Sequence, residues 1–160
     1  MKNNIEKIVL CGANGFTGRF LCKELLKRKI HFLAIIRPGN DNTWMRQNNI
    51  LYKYIDLNNT AVLERQIKGY KILISLASIG FGNVPSILKA CKNANIDRAI
   101  FTSTTAIFTK LNSKSKEARL VAESQIRESK LSWTIIRPTM IYGSPDDRNI
   151  IKLIKWIDKY

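Results

Sequence analysis

The feature that most constrains this chain is a set of glycines at a fixed step, Gly12-Ala13-Asn14-Gly15-Phe16-Thr17-Gly18, placed directly after the apolar run Ile8-Val9-Leu10-Cys11. An unbroken apolar run of that length, closed by glycine, is the pattern of a strand buried on both faces. Such strands occur in parallel sheets covered by helices on both sides. The residues that follow, 17–29, set Phe20, Leu21, Leu25 and Leu26 at helical spacing, with lysine and arginine in the last turn, where the helix dipole favours cations. A strand is therefore expected to turn through the glycines into a helix. In that turn Gly12 allows the tight bend, Gly15 leaves the backbone open to close approach, and Gly18 lets the helix pack against the strand.

The alternation repeats down the chain. Apolar runs at 31–36, 50–55, 71–77, 99–103 and 133–136 read as strands, the first closed by the turn signal Arg37-Pro38-Gly39-Asn40-Asp41-Asn42. Helical spacing is found between them: at 59–68 with Val62, Leu63 and Ile67 on one face, at 85–95 with Pro85 in the first turn, and at 115–130 with Leu120, Val121 and Ile126 expected inward. Six strands alternating with helices predict an α/β fold, a doubly wound parallel sheet of the Rossmann type with strand order 3-2-1-4-5-6. One domain is expected over 1–148. The segment 149–160 puts Ile150, Leu153, Ile154 and Ile157 on one face of an amphipathic helix, read as the start of a missing or truncated substrate region, or as a surface for a protein partner or oligomer.

Composition narrows the classes. The chain of 160 residues carries 27 basic and 12 acidic side chains, a formal charge of +15, so nucleic acid has to be considered. The basic residues are spread over most helices and loops, without a dense block interleaved with aromatics, and this argues for a solvated surface instead. No apolar stretch reaches the roughly 20 residues of a membrane span, and residues 1–7 lack a signal-like apolar core, so a cytoplasmic protein is expected. Cys11, Cys22 and Cys91 fit neither a disulfide framework nor a zinc site, and no metal is expected.

A Gly-x-x-Gly-x-x-Gly loop between strand and helix offers free backbone N–H groups and a positive dipole end to a pyrophosphate, so an adenine dinucleotide is the expected ligand. NAD-selective sites place a carboxylate about 20 residues further on, for the ribose 2′-hydroxyl. Here that place holds Arg37, and Arg19 stands beside Gly18. A guanidinium pairs with a 2′-phosphate, so NADP is favoured over NAD.

Taken together, the glycine loop with Arg19, Asp56-Leu57, Ser75-Leu76-Ala77, Phe101-Thr102-Ser103-Thr104-Thr105 and Arg137-Pro138-x-x-Ile141-Tyr142-Gly143 resemble the short-chain dehydrogenase/reductase superfamily. The likeness is to its extended and atypical branch, which holds sugar-nucleotide epimerases and dehydratases and the nitrogen-metabolite-repression-regulator-like proteins. The resemblance implies that Gly12, Asn14, Gly15, Phe16, Thr17, Gly18 and Arg19 hold the cofactor's phosphates, and that Asp56 and Leu57 meet its adenine. It further implies that Leu76, Ala77, Ser78, Thr102 and Ser103 line the rest of the cofactor, and that Thr104 polarises a substrate carbonyl.

The chain departs from that family at its catalytic centre, where a Tyr-x-x-x-Lys pair is the rule; no tyrosine here has a lysine four residues on. Aligning Glu123 with the family's following glutamate puts Ser115 at the tyrosine and Arg119 at the lysine position, and neither has a pKa suited to exchanging a proton. Lys114, Lys116 and Tyr142 are the other candidates for a reorganised site. The expected function is a dinucleotide-binding protein of the epimerase/dehydratase-like class. Two alternatives stay open: an NADP-dependent oxidoreductase or sugar-nucleotide epimerase/dehydratase with a non-standard site, and, less favoured, a basic nucleic-acid-binding protein.

Overall fold

The computed structural model describes residues 7–110, 114–144 and 150–159. Its elements run β1 (Ile8–Cys11), α1 (Phe16–Lys27), β2 (Phe32–Ile36), α2 (Thr43–Gln47), β3 (Tyr52–Tyr54), α3 (Thr60–Ile67), β4 (Ile72–Ser75), α4 (Val84–Asn93), β5 (Arg98–Thr102), α5 (Lys114–Glu128), β6 (Ser132–Ile136) and α6 (Ile150–Ile157). Short 3-10 turns at Ile79–Phe81 and Thr105–Phe108 follow β4 and β5. All strand pairs are parallel, and the sheet order is β3-β2-β1-β4-β5-β6, as the alternation of apolar runs predicts.

Register explains why β1 and β2 are apolar throughout. In parallel pairs the Cα partners point to the same side, so Val9, Ile35, Leu73 and Ala99 share one face while Leu10, Ala34, Ile74 and Ile100 share the other. The first face packs on α3, α4 and α5 through Leu63, Ile67, Ile87 and Ile126. The second packs on α1 and α2 through Cys22, Leu25 and Met45. All three cysteines are buried free thiols inside these layers, and burial pushes the Cys22 and Cys91 thiols up to about 12, which leaves them protonated and unreactive at neutral pH.

Two details depart from the sequence reading. No element is expected at 43–47, yet these residues form α2, whose Met45 is fully buried; five residues are too few to display a helical period. In α5, Leu120 and Val121 point outward, and the buried positions are Ala122, Glu123 and Ile126. The helix turns a carboxylate inward because Arg137 waits there to pair with it. Of the helix expected over 149–160, the described part is α6, and Asn149 and Tyr160 lie outside the described residues. Among the described residues no helix is long and apolar enough to cross a membrane.

Candidate functional site

The three glycines of the loop differ in what confines them. Gly12 sits at φ +77°, where its N–H donates to the Ile35 carbonyl (3.1 Å), and a Cβ there would stand 2.7 Å from the Ala77 nitrogen. A Cβ on Gly18 would run into the carbonyls of Gly12 and Ala13. Gly12 therefore joins the ends of β1 and β4, and Gly18 lets α1 close on the turn. Gly15 is looser: a Cβ would meet only the Gly12 carbonyl, at 3.3 Å, and its other side is open.

The N-terminus of α1 rises from that open side. Gly15 occupies its cap position without a side-chain bond, and no acidic residue stands in its first turn. By contrast α3 is capped by Asn59, whose side chain accepts from the Val62 N–H at 3.1 Å. The first amides of α1 are left to bind an anion, as the dipole at that end favours.

Around this terminus lie two clefts that share Leu76 and Ser78. The first, about 550 Å³, is lined by Gly12, Asn14, Gly15, Arg37, Asp56, Leu57, Leu76, Ala77 and Ser78, so nine of the expected cofactor residues come together at the ends of β1, β2, β3 and β4. Asp56 accepts from the backbone and side-chain nitrogens of Asn58 through one oxygen. No carboxylate from the end of β2 reaches this cleft; Asp41 turns away to accept from the Thr43 N–H and hydroxyl, which hold its carboxyl below the usual range. Asn40, Asn58, Phe81 and Asn83 also line the cleft, and sequence reasoning missed them. Asn83 is buried with its Oδ1 unpartnered, while its Nδ2 donates to the Ser78 carbonyl at 3.5 Å. Its only sequence signal is its place before Val84-Pro85, which marks a helix start and no ligand.

The second cleft, about 590 Å³, gathers Phe16, Thr17, Thr102, Ser103 and Thr104 with Ser115, Arg119, Pro138 and Thr139. Ser115 and Arg119, which the resemblance sets at the family's catalytic-pair positions, thus line the same space as Thr104. The Thr104 hydroxyl accepts from the Ala106 N–H at 3.2 Å and so caps the 3-10 turn. Beneath the cleft, Glu123 is fully buried and accepts from Arg137 Nε (2.8 Å) and Nη2 (2.6 Å) and from Arg127 Nη2 (2.6 Å). The Arg137 guanidinium holds the Glu123 carboxyl below its ordinary range. This clamp ties α5 to the end of β6 and so fixes Pro138 and Thr139 against Thr104.

Three candidates lie elsewhere. Arg19 lines a separate cavity with Lys23, Phe20 and Trp44, where its Nε donates to Asn14 Oδ1 (3.1 Å) and its guanidinium covers the Trp44 ring. Tyr142 is exposed and lines neither cleft, and Lys116 donates back to the Thr109 carbonyl (2.7 Å). Among the described residues no cluster of His, Cys, Asp and Glu could hold a metal ion.

Known structures match this architecture. A short-chain dehydrogenase/reductase from Veillonella parvula superposes with TM-score 0.76 at 22% identity, over 88% of this chain and 72% of its own. UDP-glucose 4-epimerase from Thermus thermophilus, solved with NAD, gives 0.77 at 16% identity, over 92% and 60%. An NADPH-dependent quinone oxidoreductase from Escherichia coli gives 0.68 at 20%, over 81% and 46%, so the chain spans about half to three-quarters of these proteins' lengths. At these identities the likeness is one of fold. No curated protein sequence matches the chain significantly. The family model described as NAD(P)H-binding matches residues 12–154, which takes in the glycine loop, both clefts and the Glu123–Arg137 clamp. The chain belongs to the NAD(P)H-binding family and carries the fold of short-chain dehydrogenases and epimerases.

Proposed function

We propose that the first cleft prefers NADP(H), with the pyrophosphate on the N-terminus of α1, the adenine beside Asp56 and Leu57, and the 2′-phosphate on Arg37. The observation that carries this reading is that Arg37 and Asp56 line one cleft which no carboxylate from β2 enters. Phe16, Thr17, Leu76, Ala77, Ser78, Thr102 and Ser103 then follow the cofactor towards the second cleft. Arg19 supports the loop through Asn14. Titration with NADPH and NADH tests the assignment. NADPH is expected to bind more tightly, and Arg37→Asp should weaken it about 10- to 100-fold while sparing NADH, the effect of losing a charge-assisted phosphate contact. Equal affinities in the unaltered protein would remove the assignment.

A second reading, an oxidoreductase or sugar-nucleotide epimerase/dehydratase with a non-standard site, is favoured by the meeting of Thr104, Ser115 and Arg119 in a cleft that shares Leu76 and Ser78 with the first. A bound nicotinamide would supply hydride chemistry there. Thr104 would donate a hydrogen bond to a substrate oxygen, since its oxygen already accepts from Ala106. Exchange of label between NADPH and a panel of sugar nucleotides and carbonyl compounds tests it. We also assign the protein to the cytoplasm, read residues 1–148 as the dinucleotide-binding unit, and give the apolar face of α6 to a protein partner or second copy. The measure of the last is oligomeric state by light scattering, before and after Leu153→Asp.

A further inference from the structure

We propose that the second cleft takes a substrate bearing a carboxylate, held by Arg119; the proposal rests on the reading that a dinucleotide occupies the adjoining cleft. Among the described residues Arg119 is the only charged side chain lining this space, and no described aspartate or glutamate reaches it. Among the described residues Arg119 makes no ion pair, although the other arginine in α5, Arg127, has Glu123. Among the described residues the cation therefore stands in a cleft without an anion.

Its placement is built. The side chain lies flat on the backbone of the turn after β4, so that a Cβ on Gly80 would stand 3.2 Å from Arg119 Cγ, 3.6 Å from Nε and 3.7 Å from Cζ. From the other side, Nη1 donates to the Ser115 carbonyl at 2.9 Å. That bond uses one donor of the guanidinium and leaves the rest of its planar fork, whose geometry matches a carboxylate. Arg119 cannot serve as a proton donor, because a guanidinium stays charged at any working pH. Its role at this position is recognition.

The remaining walls define the ligand. Thr104 has its oxygen engaged by Ala106 and its own hydrogen available to donate, and Thr139 adds a second hydroxyl across the cleft. Phe16, Leu76, Ile79 and Ile141 form the apolar side. One positive charge, several hydroxyls and apolar side chains in one lining complement a compact monoanion with an apolar body. A phosphate dianion would leave a charge unmatched.

Levulinate and its methyl ester, which differ only in the charged end, are the test ligands, titrated calorimetrically against the full chain with and without excess NADP. The acid is expected to bind about tenfold more tightly than the ester, as one charge-assisted pair in a partly wetted cleft allows. Arg119→Met should erase that difference while leaving NADPH affinity unchanged. Gly80→Ala adds a Cβ where the guanidinium lies, at a φ that alanine accepts, and should weaken the acid severalfold without touching the ester. Equal binding of acid and ester, or binding of neither, would overturn the proposal. So would an Arg119→Met variant that loses NADPH affinity and keeps the preference for acid, since Arg119 would then serve the cofactor. If the preference for acid holds where NADPH fails to bind, the carboxylate site stands and the dinucleotide reading falls.

Discussion

Ile36 ends β2 and Ile136 ends β6, both on the same face of the sheet, yet Ile36 is 2% exposed and Ile136 is 50% exposed. On the β3-β2-β1 side that face is covered by α1 and α2, with Leu25 and Met45 filling the layer. On the β5-β6 side no described helix covers it: Thr134 and Ser132 are exposed beside Ile136, and α6 has no buried residue of its own. The half that carries the glycine loop is thus closed on both faces, and the backbone at Gly12 and Gly18 is confined by its neighbours. The half that carries Thr104 and Arg119 is held instead from one face only, by α5 and the Glu123 clamp. The contrast teaches that the two clefts differ in how their walls are supported although one sheet carries both.

The largest effect is expected where the closed half is tightest. Gly12→Ala combines a left-handed backbone with a Cβ at 2.7 Å from Ala77, and should cost about 4 kcal/mol, the sum of backbone strain and overpacking. Gly39→Ala is the matched control, for Gly39 has φ +82° but nothing within 4 Å of its Cβ position. Strain alone should then cost about 1 kcal/mol. Urea denaturation of the two variants measures the difference, and equal losses would mean that the loop is not confined by β4.

Next comes the clamp under the open half. Glu123→Gln should destabilise by about 3 kcal/mol, the lower end for breaking a buried pair, because Arg127 and Arg137 both reach water. The sign of its pH dependence follows from the lowered carboxyl. Glu123 titrates in the folded state below its ordinary value of 4.5, so its contribution is complete above that value and fades as pH falls through the folded-state pKa. Stability measured from pH 7 down to about pH 3 should show the gap between the two proteins narrowing on the acid limb. A gap of constant width would place the effect in packing rather than charge.

The same contrast governs how far the sequence could be read. β1, β2 and β4 announce themselves because burial on two faces demands unbroken apolar runs, and the glycine loop because Gly12 and Gly18 are sterically required. Arg37 could be placed by its distance from the glycine loop, and Asp56 through the family resemblance of the residues after β3. In α5 the apolar period misleads, since Leu120 and Val121 face outward while Glu123 is buried. Periodicity ranks side chains by hydrophobicity, and it cannot see that Arg137, fourteen residues away, makes a buried carboxylate favourable. Asn83 escapes for a related reason: it joins the first cleft through the turn after β4, which brings distant segments together.

The smallest effect is the most diagnostic of the open half. Ile36→Ala should cost about 3 kcal/mol, a buried isoleucine removed from a filled layer, whereas Ile136→Ala should cost less than about 1 kcal/mol. Both substitutions remove the same atoms from the same face, so the comparison isolates coverage. If Ile136→Ala proves as costly as Ile36→Ala, the β6 edge is covered in solution. Repeating the pair with Leu153→Asp then identifies the cover: the cost at Ile136 falls if α6 supplies it, from the same chain or a second copy, and is unchanged if another surface does. Should the cost stay small in every background, the open face is solvated, and Thr104 and Arg119 rest on α5 and the Glu123–Arg137 pair alone.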